Sequence, residues 1–248
     1  MILSAEEIKV LETYRLSTVP TNSPLSIRLD RLSEDSVLID YVAKVRDRLG
    51  AANDAVAASM LIKRYSFLVA MSLYAMSVWN KRLVLSPERI WMETDDHDDR
   101  WLPTFRFEEP KTEICTGCRD QWREETVRQL FSVHLFPLIE KLRKITKISA
   151  NILWENIAIY IYWLYETIMN DETLAHVHER LCDDFHYLVN DADGALFGTP
   201  RQNPLKRFWK GDANSRQRST CCLYYQTDGG SHCQTCPHIA RQRYQAIS

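Results

Sequence analysis

Four cysteines near the C-terminus are the residues best placed by type and spacing to do chemistry. Within RSTCCLYYQTDGGSHCQTCP, residues 218–237, Cys221 and Cys222 are adjacent, and Cys233 and Cys236 follow after ten residues, giving C-C-x10-C-x2-C. Four thiolates suit either a tetrahedral zinc ion or an iron–sulfur cluster. A C-x-x-C pair can turn both sulfurs toward one metal. Adjacent cysteines diverge in extended backbone, so a single ion would take both only from an unusual local conformation. A two-iron cluster offers two thiolate positions on each metal, and the spacing therefore favours iron–sulfur over zinc. Asp228-Gly229-Gly230 supplies a tight turn between the pairs, and its small residues let backbone N–H groups approach cluster sulfides.

The same end of the chain is cationic. Residues 199–248 carry eight Lys/Arg against two acids, a balance of +6, while the remainder of the chain stands at −8. Such asymmetry implies an anionic partner for that end. Arg201, Lys206, Arg207, Lys210, Arg216 and Arg218 are the candidate contacts, with Trp209, Tyr224 and Tyr225 as apolar walls.

The spacing C-C-x10-C-x2-C, set within R-x-x-C-C-L-Y-Y and closing as C-x-x-C-P, resembles the FhuF-type siderophore ferric reductases. The specific part covers about twenty residues, and Trp154-x-Asn156 is a weaker echo of the same family. The resemblance implies a 2Fe–2S cluster held by Cys221, Cys222, Cys233 and Cys236. It implies a cytoplasmic oxidoreductase that reduces Fe(III) in an imported siderophore of hydroxamate or citrate-hydroxamate type. One electron suffices for that reaction, and no acid, base or nucleophile is required. Oxygen chelators hold hard Fe(III) far better than Fe(II), so reduction loosens the metal.

Two other readings compete. One is a zinc knuckle that binds nucleic acid or protein through its basic residues. The other is an iron–sulfur sensor that does not turn over a chelate. Under the leading reading no nucleic acid is expected. The partners are a ferric siderophore, a separate electron donor (a ferredoxin, or a flavin- or NAD(P)H-dependent reductase) and, through a basic face, the membrane surface near an importer. A separate donor is expected because neither GxGxxG nor GxxxxGK[ST] occurs.

The remaining candidates carry bland alternatives. Cys115 and Cys118 form a C-x-x-C before a helix, without the βαβ context of a redox motif. His178, Cys182 and His186 lie at i, i+4 and i+8, a span of about 12 Å along a helix, too long for one ion. Asp95-Asp96-His97-Asp98-Asp99 is a solvated acidic loop by default, and His232 and His238 flank candidate ligands.

These side chains must be positioned by a mostly helical body. The 248 residues are 45% hydrophobic and 26% charged, as in an ordinary globular protein. Seven cysteines cannot all pair. The first residues lack the pattern of a secretion signal, and a reducing, cytoplasmic setting is expected. The charge-free stretch between Arg64 and Lys81 has 16 residues, short of the roughly 20 of a spanning helix.

Helices are expected at 5–17 and 36–49, and at 54–80, apolar on nearly every side and opened by Asn53-Asp54. Short β-prone pieces at Leu83–Leu85, Arg89–Glu93 and Thr104–Phe107 predict a small antiparallel sheet within 82–108. Helix resumes near Arg119 and should kink at Pro137. Further helices are expected at about 149–170 and 172–189, and a short one at 237–246. The fold class is α+β, predominantly helical. A body at 1–198 and a basic, cysteine-rich, irregular segment at 199–248 form one domain.

Overall fold

The computed structural model describes residues 1–98, 100–199, 202–211 and 217–239. Its centre is one apolar helix. Helix α1 covers Ala5–Glu12, α2 Asp35–Leu49 and α3 Asp54–Trp79. The Asn53 side chain accepts from the Val56 N–H and caps α3, which ends where Asn80 turns left-handed (φ 53°). Nearly every side chain of α3 from Val56 to Val78 is buried. It is long and apolar enough to cross a membrane, yet 89% of its most apolar window is buried inside the fold. Its apolar surface is satisfied by protein, each fully buried Leu or Met contributing about 2 kcal/mol.

Helices α4 (Arg119–Arg128), α5 (Phe136–Thr146), α6 (Ala150–Met169) and α7 (His178–His186) complete the helical layer. Helix α6 packs most extensively on α3. Its first turns lie beside those of α3: Asn156 touches Ser59, and further along Phe67 meets Tyr160 and Trp163.

The expected helix at 5–17 stops at Glu12. Arg15 adopts a left-handed backbone (φ 73°), and Leu16–Ser17 becomes strand β1. The remaining strands are β2 (Ile27–Arg28), β3 (Lys81–Leu83), β4 (Ile90–Glu93), β5 (Thr104–Phe107) and β6 (Thr112–Ile114). The sheet is mixed rather than antiparallel throughout. Its order is β1-β5-β4-β2, with β1 parallel to β5 (Leu16 opposite Phe105). A separate ribbon pairs β3 with β6. Dipeptide strands such as β1 and β2 are too short for alternation to show in sequence.

The expected kink at Pro137 is a π-helical segment, Gln129–Leu135, ahead of α5, with Pro137 in the first turn of that helix. Proline lacks an N–H, and the first turn of a helix tolerates its absence. The 172–189 stretch is divided into a 3-10 turn, α7 and a second π segment at Tyr187–Asp191. Of the short helix expected at 237–246, residues 237–239 are helical and 240–246 lie outside the described residues.

Candidate metal centre

The cysteine segment lies across the first turns of α3 and α6. Ser59 on α3 donates to the Cys222 carbonyl at 2.7 Å. The Ala52 N–H donates to the Gln226 carbonyl at 3.0 Å, and the Asp228 N–H to the Leu49 carbonyl at 2.9 Å. Glu155 on α6 accepts from the N–H groups of Ser219 and Thr220, both at 2.6 Å, and from the Thr220 hydroxyl. The loop is thus fixed by two helices on both sides of the first cysteine pair.

Within the loop the four sulfurs form two couples. Cys221 Sγ and Cys236 Sγ are 3.8 Å apart. Cys222 and Cys233 share a thiol hydrogen bond. The backbone explains how neighbours separate: Leu223 is left-handed (φ 66°) and turns the chain directly after the pair. Its N–H donates to Cys221 Sγ at 3.3 Å, and the Tyr224 N–H donates to Cys222. The Asp228-Gly229-Gly230 turn works differently from the sequence expectation. The Asp228 N–H goes to Leu49 and the Gly230 N–H to the Thr227 carbonyl, so neither addresses a sulfur. Gly230 is required by space, since a Cβ there would lie 2.0 Å from the Tyr224 carbonyl oxygen.

The electrostatics separate the thiols. Cys222 is lowered to about 5, chiefly by the Cys233 thiol and then by the Lys63 ammonium, the Tyr224 N–H and Arg218, against its own burial. Cys233 moves upward as the donor of that pair, and burial raises Cys221 to about 11. Lys63 Nζ lies 3.9 Å from Cys222 Sγ and 5.1 Å over the Tyr224 ring. His232 Nδ1 is 3.4 Å from Cys236 Sγ, and Cys221, His232 and Cys236 bring their ligand atoms within 4.8 Å of one another. His232 also stacks on Tyr225 with centroids 4.4 Å apart.

A donor set of four thiols fits a two-iron cluster. Two thiolates bound at about 2.3 Å to one tetrahedral metal sit about 3.8 Å apart, the separation found for Cys221 and Cys236.

Residues 59–215 match the family described as ferric iron reductase FhuF-like transporter. The chain belongs to the FhuF-like family. Residues 218–238 match the FhuF 2Fe-2S C-terminal domain, and the cofactor is a 2Fe–2S cluster. No curated protein matches the chain significantly. Among solved structures, ATP-bound aerobactin synthetase IucA from a hypervirulent pathotype of Klebsiella pneumoniae is similar at 15% identity and a TM-score of 0.49, with 82% of this chain covered. The chain spans about half of that protein (49%). A likeness at that level carries no argument about function.

The FhuF-like match does not bear on the expected basic landing surface, four of whose six cations are described. Lys206, Arg207 and Lys210 are exposed, and each donates to a neighbouring Asn or Gln oxygen. Trp209 packs its ring against Tyr162 and Phe185 at about 5 Å. The cleft between Trp209, Lys210 and Arg218 holds only about 10 Å³, room for about one water molecule. Arg218 is buried and bonded to Asn156, so it belongs to the support of the loop and not to the surface. Arg201 and Arg216 lie outside the described residues.

Cys115 is half-buried, Cys118 exposed, and neither joins a group of three ligand side chains among the described residues. Cys182 and His178 touch at the surface, 3.7 Å apart, whereas His186 pairs with Asp191, so no triad forms. Lys63, Ser59 and Glu155 were not singled out by sequence. The signal for Lys63 was present: Lys63 and Arg64 are the charges that interrupt an otherwise apolar α3 after Asp54.

Proposed function

We propose that this protein reduces Fe(III) in an imported siderophore, of hydroxamate or citrate-hydroxamate type, in the cytoplasm. We assign Cys221, Cys222, Cys233 and Cys236 as the ligands, with Cys221 and Cys236 on one iron and Cys222 and Cys233 on the other. The observation that carries this reading is the sulfur pairing in a segment matching the family's 2Fe–2S domain. Residues 199–248 act as the cluster-holding part of the same domain as 1–198.

The cluster supplies one electron at a time. The chain's own residues do the rest. Glu155, Ser59 and Asn156 hold the loop on α3 and α6. Lys63 and Arg218 place positive charge beside Cys222 and favour the more negative, reduced state. The ferric chelate is the substrate; it accepts one electron and releases Fe(II), which its oxygen donors hold weakly. A separate one-electron donor, a ferredoxin or a flavin- or NAD(P)H-dependent reductase, restores the reduced state. A peripheral contact with the membrane would bring the protein near an importer.

The test is an anaerobic visible spectrum of the purified protein, recorded oxidised, after dithionite, and after addition of a ferric hydroxamate. Colour that bleaches and returns as the chelate is consumed is the expected result. Colour that bleaches and stays bleached with every ferric chelate would point to a sensor. A colourless protein carrying zinc would overturn the reading.

A further inference from the structure

Beside the cysteines, α3 carries two adjacent cations, Lys63 and Arg64, that no carboxylate among the described residues partners. Lys63, Arg64 and Phe67 share one helix face, since residues three and four apart are neighbours. Lys63 stands at the Cys222 end of the row. Arg64 follows. It is 8% exposed, it contacts the Tyr160 hydroxyl, and its Nε has no hydrogen-bond partner. Phe67 comes one turn after Lys63, about 6 Å along the helix. Its ring packs edge-on against Tyr160 at 4.9 Å and Trp163 at 6.3 Å.

Arg15 closes the far end. Its guanidinium carbon sits 5.0 Å over the Phe67 ring, and its Nη1 donates to the Leu102 carbonyl at 3.1 Å. Its Nε is buried without a partner. The left-handed backbone at Arg15 (φ 73°) closes the turn after α1, and its carbonyl accepts from the Phe105 N–H. Among the described residues the acid within range is Asp98, which pairs with Arg100 at 3.3 Å.

Buried cations are ordinarily paired, because desolvation is costly. The charge of Arg64 stands close to Arg15, and among the described residues no carboxylate bonds to Arg15, Lys63 or Arg64. An arrangement that concentrates positive charge with no described carboxylate against it fits an anion that arrives from outside. Guanidinium forks match carboxylates in particular. Trp163, 39% exposed, and the Phe67 and Tyr160 rings give the same surface an apolar wall.

We propose that this face of α3 and α6, with Arg15, is the seat of the ferric chelate, and that it selects carboxylate-bearing, anionic chelates over neutral trihydroxamates. Carboxylates of the chelate pair with Arg64 and Arg15, and its apolar arms lie on Phe67 and Trp163. The iron then sits near the Lys63–Cys222 end of the row. This assignment rests on the ferric-reductase reading and replaces the 206–218 surface as the docking site.

Gallium(III) chelates, which do not accept the electron, separate binding from reduction. The holoprotein is titrated calorimetrically with the gallium complex of a citrate-hydroxamate siderophore and with that of a neutral trihydroxamate. The anionic complex is expected to bind at least tenfold more tightly. Arg15→Gln and Arg64→Lys should each weaken it about tenfold or more, and Trp163→Ala several-fold. A triple Lys206→Ala, Arg207→Ala, Lys210→Ala variant should bind as the parent does. Each variant must retain its visible spectrum. Arg64 is buried, so Arg15→Gln and Trp163→Ala carry the test if Arg64→Lys does not fold. Unchanged affinity in both, or equal affinity for the neutral complex, overturns the seat. If the bleached parent is reoxidised by ferric chelates while those variants bind normally, the seat alone fails. If the parent neither binds the gallium complexes nor is reoxidised, the reductase reading itself fails.

Discussion

Arg218 donates through Nη2 to the Asn156 Oδ1 at 2.6 Å, and both side chains are buried. The Asn156 amide nitrogen in turn donates to the Ser59 carbonyl at 3.0 Å and its hydroxyl at 2.9 Å. One asparagine therefore joins α6 to α3 and to the start of the cysteine loop. Glu155, the residue before it, takes the next two N–H groups of that loop and lies 3.7 Å from Arg218. The metal centre is thereby tied to the two central helices and not left on a free tail.

Arg218→Met should be strongly destabilising, since it leaves Glu155 as a buried charge without its cation. Removing one partner of a buried pair costs about 3–5 kcal/mol. The expected outcome is a lower urea midpoint and a reduced iron content per chain. An unchanged midpoint with full iron would show that the clamp does not hold the loop.

Alanine at any one of Cys221, Cys222, Cys233 or Cys236 should abolish the visible spectrum. Serine at Cys115, Cys118 or Cys182 should leave it intact. Serine substitutions that retain colour test the pairing: Cys221→Ser and Cys236→Ser should perturb the reduced-state EPR spectrum in one sense, and Cys222→Ser and Cys233→Ser in another. A grouping by sequence neighbours would contradict the 3.8 Å couple.

Lys63→Met should lower the midpoint potential, because a positive charge 3.9 Å from Cys222 Sγ favours the reduced state. The expected shift is about 60 mV, the equivalent of a tenfold change for a one-electron couple. Spectroelectrochemical titration measures it. An unchanged potential would mean that the ammonium does not act on the centre.

His134 provides a pH prediction remote from the cysteines. It lies in the π segment before α5, and Tyr65 Oη is 2.7 Å from its Nε2. Burial holds its pKa down to about 4. The native state then binds this proton less readily than the unfolded chain does. The stabilisation is complete above the ordinary histidine range near 6.5 and is lost as pH falls from there toward 4, by about 3 kcal/mol. Urea midpoints across that window should decline more steeply for the parent than for His134→Gln. Parallel declines would show that another group governs acid stability.

Gly230→Ala should impair the loop, since its Cβ would meet the Tyr224 carbonyl oxygen. Poorer cluster retention after reconstitution is the expected readout. Gly211→Ala, at a left-handed backbone (φ 77°) with no described atom within 4 Å of the added Cβ, should cost only about 1 kcal/mol and leave the colour unchanged.

The sequence by itself set out the candidate donors, because C-C-x10-C-x2-C is local and each thiol's identity states its chemistry. It also determined α2, α3 and α6 almost to the residue, since apolar periodicity and caps such as Asn53 act within a few turns. Strands β1 and β2 were not legible, being two residues long and formed only when β5 and β4 come alongside. The roles of the basic residues were not legible either. A lysine or arginine in sequence carries the same charge whether it faces solvent, as Lys206 does, or is buried against Asn156, as Arg218 is. Only the packing of α6 on α3, which brings residues about a hundred positions apart into contact, decided which cations stand beside the thiols. Charge is a property of the residue, whereas desolvation and partnership are properties of the fold.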